Sequence, residues 1–200
     1  MAGHRTFAAF WDFMSRREPA AEREMRSRVA GGVSGRVLEL GVGVGSNWVH
    51  LPEGVDYEAI DPDPHMLSRA RRHATEQGRA VTLHEAPAEK LPFEDATFDS
   101  VLVTLTLCSV RSQARSLAEA KRVLKPGGTL HFAEHVRPGG FRGRLFDIAQ
   151  PLWSAIGGGC HPNRQTEDAV RTSGLVVESL QHSRRNGLPV IEGVARKQAG

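Results

Sequence analysis

Apolar residues along the chain fall into short runs separated by longer stretches with a helical repeat. Runs at 35–40, 55–60, 80–85, 97–105 and 129–135 read as strands. The fourth is almost continuously apolar, as a central parallel strand should be. Between them, 63–77 carries a helical pattern stopped by Gly78, and 112–124 carries another ended by Lys125-Pro126-Gly127-Gly128. A short first helix is expected to begin at 46–50, ahead of Leu51-Pro52. Beyond His135 the pattern loosens into a glycine-rich loop over 138–144 and a helix over 145–156, with Pro151 near its middle or at a break. A flexible turn over 157–162 and a helix over 166–173 stopped by Gly174 follow. Two closing strands, 175–182 and 188–196, are joined through Asn186-Gly187, a dipeptide that favours a hairpin. At the start, Phe7, Phe10, Trp11 and Met14 form a helical stripe that Pro19 interrupts. That stripe packs on the sheet, covers a ligand as a lid, or touches a membrane surface; its shortness favours the first two.

Strands alternating with helices imply a parallel sheet, and the final hairpin adds an antiparallel strand. The sharpest local feature is Glu39-Leu40-Gly41-Val42-Gly43-Val44-Gly45-Ser46-Asn47, a strand end, three alternate glycines and two good helix caps. Only glycine lets a backbone turn so tightly and come so close to a ligand. A dinucleotide fingerprint needs G-x-G-x-x-G, but Ser46 occupies the third position. An acidic Glu39 beside the loop suits an ammonium group better than a pyrophosphate. Asp61 ends the second strand, where an acidic side chain accepts bonds from ribose hydroxyls. It could instead cap the next helix, but Asp63 is available for that.

These residues resemble the class I S-adenosylmethionine (SAM) dependent methyltransferases. The matching motifs are Glu39 to Gly45, Ile60-Asp61-Pro62, Ala88-Glu89-Lys90-Leu91-Pro92-Phe93, Thr97-Phe98-Asp99, and Arg122-Val123-Leu124-Lys125-Pro126-Gly127-Gly128. The resemblance implies an α/β Rossmann-like methyltransferase fold. Its sheet would be mostly parallel and seven-stranded, with a C-terminal antiparallel hairpin and helices on both faces. It implies that Glu39 and the backbone of Gly41, Gly43 and Gly45 hold the methionine end of SAM, that Asp61 binds the ribose and that Pro62 flanks the adenine. Ala88 and Glu89 would read the adenine edge, although Pro87 stands where many relatives place Asp. Thr104 and Leu105 would line the site near the sulfonium, and S-adenosylhomocysteine would be the product.

A narrower resemblance, to the methyltransferase-like 7 group with its thiol S-methyltransferases, rests on Leu105-Thr106-Leu107-Cys108-Ser109-Val110 and Glu134-His135-Val136. It continues through Pro151-Leu152-Trp153, Gly159-Cys160, Arg164 and Gly193 to Lys197. It implies a small-molecule thiol as methyl acceptor. A phenol, a quinone precursor or a phospholipid amine is the rival, and a non-catalytic SAM-binding module the remoter one. The resemblance implies a hydrophobic membrane anchor at the N-terminus, and the expectation here is that this chain departs from the group there and has none. A thiol needs only a cation or a base to become a thiolate, since its reference pKa is about 8.5. His135 ends the fifth strand in a suitable place, and His161 and Arg164 could reach the same opening. Plainer roles are a backbone bond for His135 and an ion pair with Asp168 for Arg164. Cys108 and Cys160 are expected to pack rather than react.

Composition narrows this further. Two hundred residues suit one domain, with 1–30 as a cap or lid and 138–165 as acceptor loops. The net charge of +3 is carried mostly by arginine, without a basic run or interleaved aromatics, so no nucleic-acid partner is expected. Two cysteines make neither a disulfide scaffold nor a CxxC metal site, and no metal is expected. The sequence shows no apolar span of ~18 residues and no signal peptide. A cytoplasmic monomer or homodimer without membrane contact is the expectation.

Overall fold

Seven strands form one sheet in the order β3-β2-β1-β4-β5-β7-β6. They are β1 (Arg36–Leu40), β2 (Asp56–Asp61), β3 (Thr82–Glu85), β4 (Phe98–Thr104), β5 (Leu124–His135), β6 (Val176–Arg185) and β7 (Leu188–Arg196). The first five run parallel; β7 is antiparallel to both β5 and β6. This is the expected architecture. It comes from a computed structural model that describes residues 5–156, 159–185 and 187–199. Asn186 of the expected hairpin turn, Gly157 and Gly158 of the glycine turn, and residues 1–4 of the expected cap lie outside the described residues.

The helices are α1 (Arg5–Ser15), α2 (Ala20–Ala30), α3 (Pro64–Glu76), α4 (Gln113–Val123), α5 (Gly140–Ile156) and α6 (Thr166–Arg171). Side chains on a strand alternate between faces. Val37, Ala59 and Leu102 therefore pack under Met25 and Val29 of α2 and Leu67 and Ala70 of α3. Leu38, Val101 and Val103 pack on the opposite face under Leu117 and Ala120 of α4 and Val170 of α6. Strand order reverses between β1 and β4, so a crevice opens at the carboxyl ends of those strands, where open parallel sheets bind ligands.

Local departures from the sequence pattern each have a cause. The helix expected at 46–50 is only a 3-10 turn, Trp48–His50. Pro52 restricts Leu51 to extended backbone, and Asn47 spends its side chain on Glu39 and Thr104 rather than on a cap. The expected loop at 138–144 is helix from Gly140, because Gly143 lets the first turn close on Pro138. A Cβ at Gly143 would stand 2.3 Å from the Pro138 carbonyl oxygen. α5 also continues through Pro151. β5 begins at Leu124 rather than 129, since Gly127 and Gly128 exchange backbone bonds with Lys197.

The N-terminal stripe only partly packs. Phe7 and Trp11 lie against Val44 and Met66, while Phe10 and Met14 are exposed. The buried face of α1 is Ala8 and Asp12, and Asp12 pairs with Arg72 and His73 of α3.

Candidate active site

The three glycines are required for three different reasons. Each has a positive φ: 73° at Gly41, 56° at Gly43 and 87° at Gly45. A Cβ on Gly41 would stand 2.3 Å from the Thr106 hydroxyl, and one on Gly45 would enter the Trp48 ring at 2.7 Å. Gly43 has nothing within 4 Å of that position. The loop at Gly43 is therefore open on the side where a side chain would stand, which leaves room for a ligand there. Its N–H donates to Asp61 Oδ2 at 2.9 Å, which ties the loop to the end of β2.

Behind the loop lies a buried polar cluster. Glu39, 1% exposed, accepts hydrogen bonds from Asn47 Nδ2 at 2.7 Å and from the Tyr57 hydroxyl. Burial pushes its carboxyl up to about 7, against the pull of those two donors. Asn47 Nδ2 also reaches the Thr104 hydroxyl at 2.8 Å. Arg26 of α2 enters from the N-terminal segment, donating to Asn47 Oδ1 at 2.8 Å and Thr104 Oγ1 at 3.2 Å while pairing with Glu18 and Glu22. Carboxylate, amide, hydroxyl and guanidinium thus meet in one place, a set suited to a zwitterionic amino-acid group.

Asp61 is 8% exposed, and burial pushes its carboxyl up to about 6. It accepts from the backbone of Gly43 and Asp63, and Asp63 itself caps α3. Pro62 beside it is exposed. Glu39, Gly41, Gly43, Gly45, Asp61 and Thr104 are thereby one connected unit. Ala88 and Glu89 are not joined to it: Ala88 is buried in the core, and Glu89 accepts from the backbone of Arg111 and Ser112.

The other side of the crevice is built by the segment after β4. Leu105 has φ +55°, strained for a branched side chain, and its N–H is anchored on Ala133. Glu134, fully buried, accepts from the backbone N–H groups of Thr106, Leu107 and Cys108, and burial pushes its carboxyl up to about 8. Thr106 reaches the Gly41 carbonyl oxygen, which joins this segment to the glycine loop. On its far end, Cys108 Sγ lies 3.3 Å from Cys160 Sγ, and Cys160 Sγ lies 4.0 Å from His135 Nδ1. The contact between the two sulfurs holds Cys160 below the ordinary thiol range and, with burial, Cys108 above it. The two cysteines, expected to pack rather than react, are free thiols in contact with each other.

The three proposed acceptor residues gather here with different freedom. His135 is 7% exposed, and its Nε2 is buried with no partner. His161 is committed through Nδ1 to the Gly159 carbonyl at 2.6 Å. Arg164 donates to the Leu107 carbonyl at 2.8 Å, not to Asp168. Sequence reasoning missed Arg26, Asn47, Tyr57 and Glu134. Asn47 was legible as a helix cap only, and nothing near Arg26 marks it among the other arginines of that helix. A cavity of about 420 Å³ lined by Asp99, Lys125 and Arg196 opens at the opposite, amino-terminal ends of β4 and β5. The carboxyl-end crevice carries the convergent polar groups, so it is the candidate site.

Comparison with known proteins agrees with this geometry. A family model described as a methyltransferase domain matches residues 38–132. The human thiol S-methyltransferase TMT1B is 37% identical over 164 residues, spanning 76% of this chain and 66% of that protein. Human thiol S-methyltransferase TMT1A is 34% identical over 161 residues, spanning 76% and 65%. The chain thus spans just under two thirds of the length of these curated relatives. A solved SAM-dependent methyltransferase from Thermotoga maritima has the same fold, with a TM-score of 0.69 at 24% identity over 97% of this chain and 98% of that one.

Proposed function

The chain belongs to the class I SAM-dependent methyltransferases, and we propose that it transfers the methyl group of SAM to the sulfur of a small-molecule thiol. The observation that carries the acceptor class is the 37% identity to a thiol S-methyltransferase over an alignment of 164 residues. The open face of Gly43 and the buried polar cluster support the cofactor. SAM supplies an electrophilic methyl group on a sulfonium, together with a charged amino-acid end and a ribose.

Each residue then has a defined task. Arg26 and Asn47 match the α-carboxylate, and Glu39 the ammonium group. Asp61 retains lone pairs for ribose hydroxyls while it fixes the glycine loop. Pro62, exposed beside it, offers an apolar flank to the adenine, with Ala88 and Glu89 contributing backbone only. Thr104 and Leu105 border the transferring group. Positioning does most of the remaining work, because an in-line displacement gains much of its acceleration from holding the reactants aligned. The acceptor enters between α5 and the end of β5, near His135, His161 and Arg164.

Release of S-adenosylhomocysteine across thiols, dithiols and matched phenols and amines tests this. Turnover on thiols is expected; turnover confined to phenols or amines overturns the acceptor class. A second reading, methylation of a phospholipid amine or a membrane-borne phenol, draws support from the exposed apolar residues Phe141, Leu145, Ile148 and Leu152, which recur at helical spacing along α5.

A further inference from the structure

We propose that Cys108, His135 and Cys160 form a binding site for a thiophilic divalent cation, zinc by its donor set, with one coordination position left for the sulfur of the methyl acceptor. Only the last clause rests on the thiol reading above.

The chain has two cysteines in 200 residues, and the fold brings their sulfurs to 3.3 Å across 52 positions of sequence. They arrive from separate elements. Cys108 lies on the segment after β4, pinned through its N–H by Glu134 and through its carbonyl by the His161 N–H. Cys160 lies on the turn after α5, and His135 ends β5, its carbonyl held by the Thr166 hydroxyl. One donor atom from each lies within 4.8 Å of the other two. Two sulfurs and an imidazole are the soft and borderline donors that zinc prefers, and sites of two Cys and one His with a fourth position open are a known catalytic arrangement. Zinc–sulfur bonds of ~2.3 Å place tetrahedral thiolates about 3.8 Å apart, so loading asks the sulfurs to part by about half an ångström.

The other polar neighbours are committed elsewhere or donate to a sulfur, as the Trp153 side chain does to Cys160, so none of them supplies a fourth ligand. Glu134 has its oxygens on three backbone N–H groups, and His161 Nδ1 is engaged by Gly159. Cys160 is only half-buried, so the set is reachable from the acceptor side. Loading releases the thiol protons of Cys108 and Cys160 to solvent. An acceptor thiol entering the open position releases its proton in the same way and is held as a thiolate. Its sulfur then forms a bond to the methyl carbon as the carbon–sulfonium bond breaks. The products are a neutral thioether, a far poorer ligand that leaves, and S-adenosylhomocysteine.

The test is a cobalt(II) titration of the full chain, stripped with a chelator and kept reduced with a phosphine rather than a thiol. A tetrahedral visible spectrum with sulfur-to-cobalt charge transfer at one equivalent is expected, displaced by one equivalent of zinc. Cys160→Ser, at a half-exposed position, should weaken cobalt binding by roughly tenfold or more while SAM binding is retained. Zinc should also protect both thiols of the unaltered chain from a chromogenic disulfide reagent. Absence of these bands, or thiols that react or join as a disulfide equally with and without zinc, overturns the site. A small thiol, but not the matching alcohol, should shift the cobalt spectrum. Equal thiol turnover by stripped and zinc-loaded protein overturns the acceptor-ligand role and leaves S-methylation standing. An intact cobalt spectrum with turnover only on phenols or amines upholds the site and overturns the thiol reading.

Discussion

Gly41 and Gly43 differ in what stands over them, so the same substitution should act on them differently. At Gly41 a methyl group would meet the Thr106 side chain at 2.3 Å in addition to the strain of a positive φ. At Gly43 only the backbone term of about 1–2 kcal/mol applies, since the space is open. Thermal unfolding should show Gly41→Ala lowering Tm more than Gly43→Ala, while Gly43→Ala lowers SAM affinity through the methyl group it places on the ligand face. Equal Tm losses with SAM affinity intact would contradict this. Arg26→Ala should weaken SAM binding by tenfold or more, about 1.4 kcal/mol, with partial rescue by Arg26→Lys; calorimetry on the folded variants reads it. Glu39 yields a pH prediction. Its folded carboxyl holds a proton up to about 7, whereas an unfolded glutamate has lost it by about pH 5. The native state binds the extra proton, so this stabilisation is complete below the unfolded pKa and is lost as pH rises through about 7. Glu134, pushed up to about 8 by burial, changes stability in the same direction, whereas Cys160 and His131, both held below their ordinary values, act in the opposite one. The Glu39 contribution is therefore read as a difference: Tm of the ligand-free chain should fall by several degrees relative to that of Glu39→Gln between about pH 5 and about pH 8. A difference in Tm that does not change with pH would contradict the assignment.

Elements were legible where the pattern was long and its terminators strong. The central strand β4 and the helices α3 and α4, each capped by its own Asp63 or Ser112, fall within a residue or two of their expected bounds. Sequence reasoning failed where tertiary contacts overrode local signals. Asn47 looks like a cap but belongs to the Glu39 cluster, and Gly140 and Gly143 look like loop residues but open a helix. The tight glycine loop and the acidic residues beside it were readable because glycine spacing and acidic strand ends are local features. Arg26, Tyr57 and the Cys108–Cys160 contact were not, because they join residues far apart in sequence. α1 is held by Asp12 against Arg72 and His73 together with the packing of Phe7, Ala8 and Trp11, and His73 Nδ1 also contacts the Val44 carbonyl of the glycine loop. Asp12→Asn should raise hydrogen exchange over 5–15 while the sheet stays protected. Unchanged exchange there would show that Phe7 and Trp11 suffice to hold the helix.

Across the whole molecule, the two proposed halves of the site are built from different kinds of element. The proposed cofactor side is built on β1, β2 and β4 inside the sheet, whereas the proposed acceptor side draws on α5 and the turn after it. No described helix is long and apolar enough to cross a membrane, yet α5 presents an apolar stripe to solvent. If that stripe serves a lipid substrate, the chain should float with phosphatidylethanolamine vesicles and Ile148→Glu should abolish flotation. Absence from the vesicle fraction would leave a diffusible acceptor. The central claim, that sulfur is the methyl acceptor, is tested most directly by a single compound bearing competing groups. With SAM and 4-mercaptophenol, mass spectrometry of the product should find the methyl group on sulfur, as the thioether with a free phenol. Methylation on oxygen, with the thiol left free, would contradict the account.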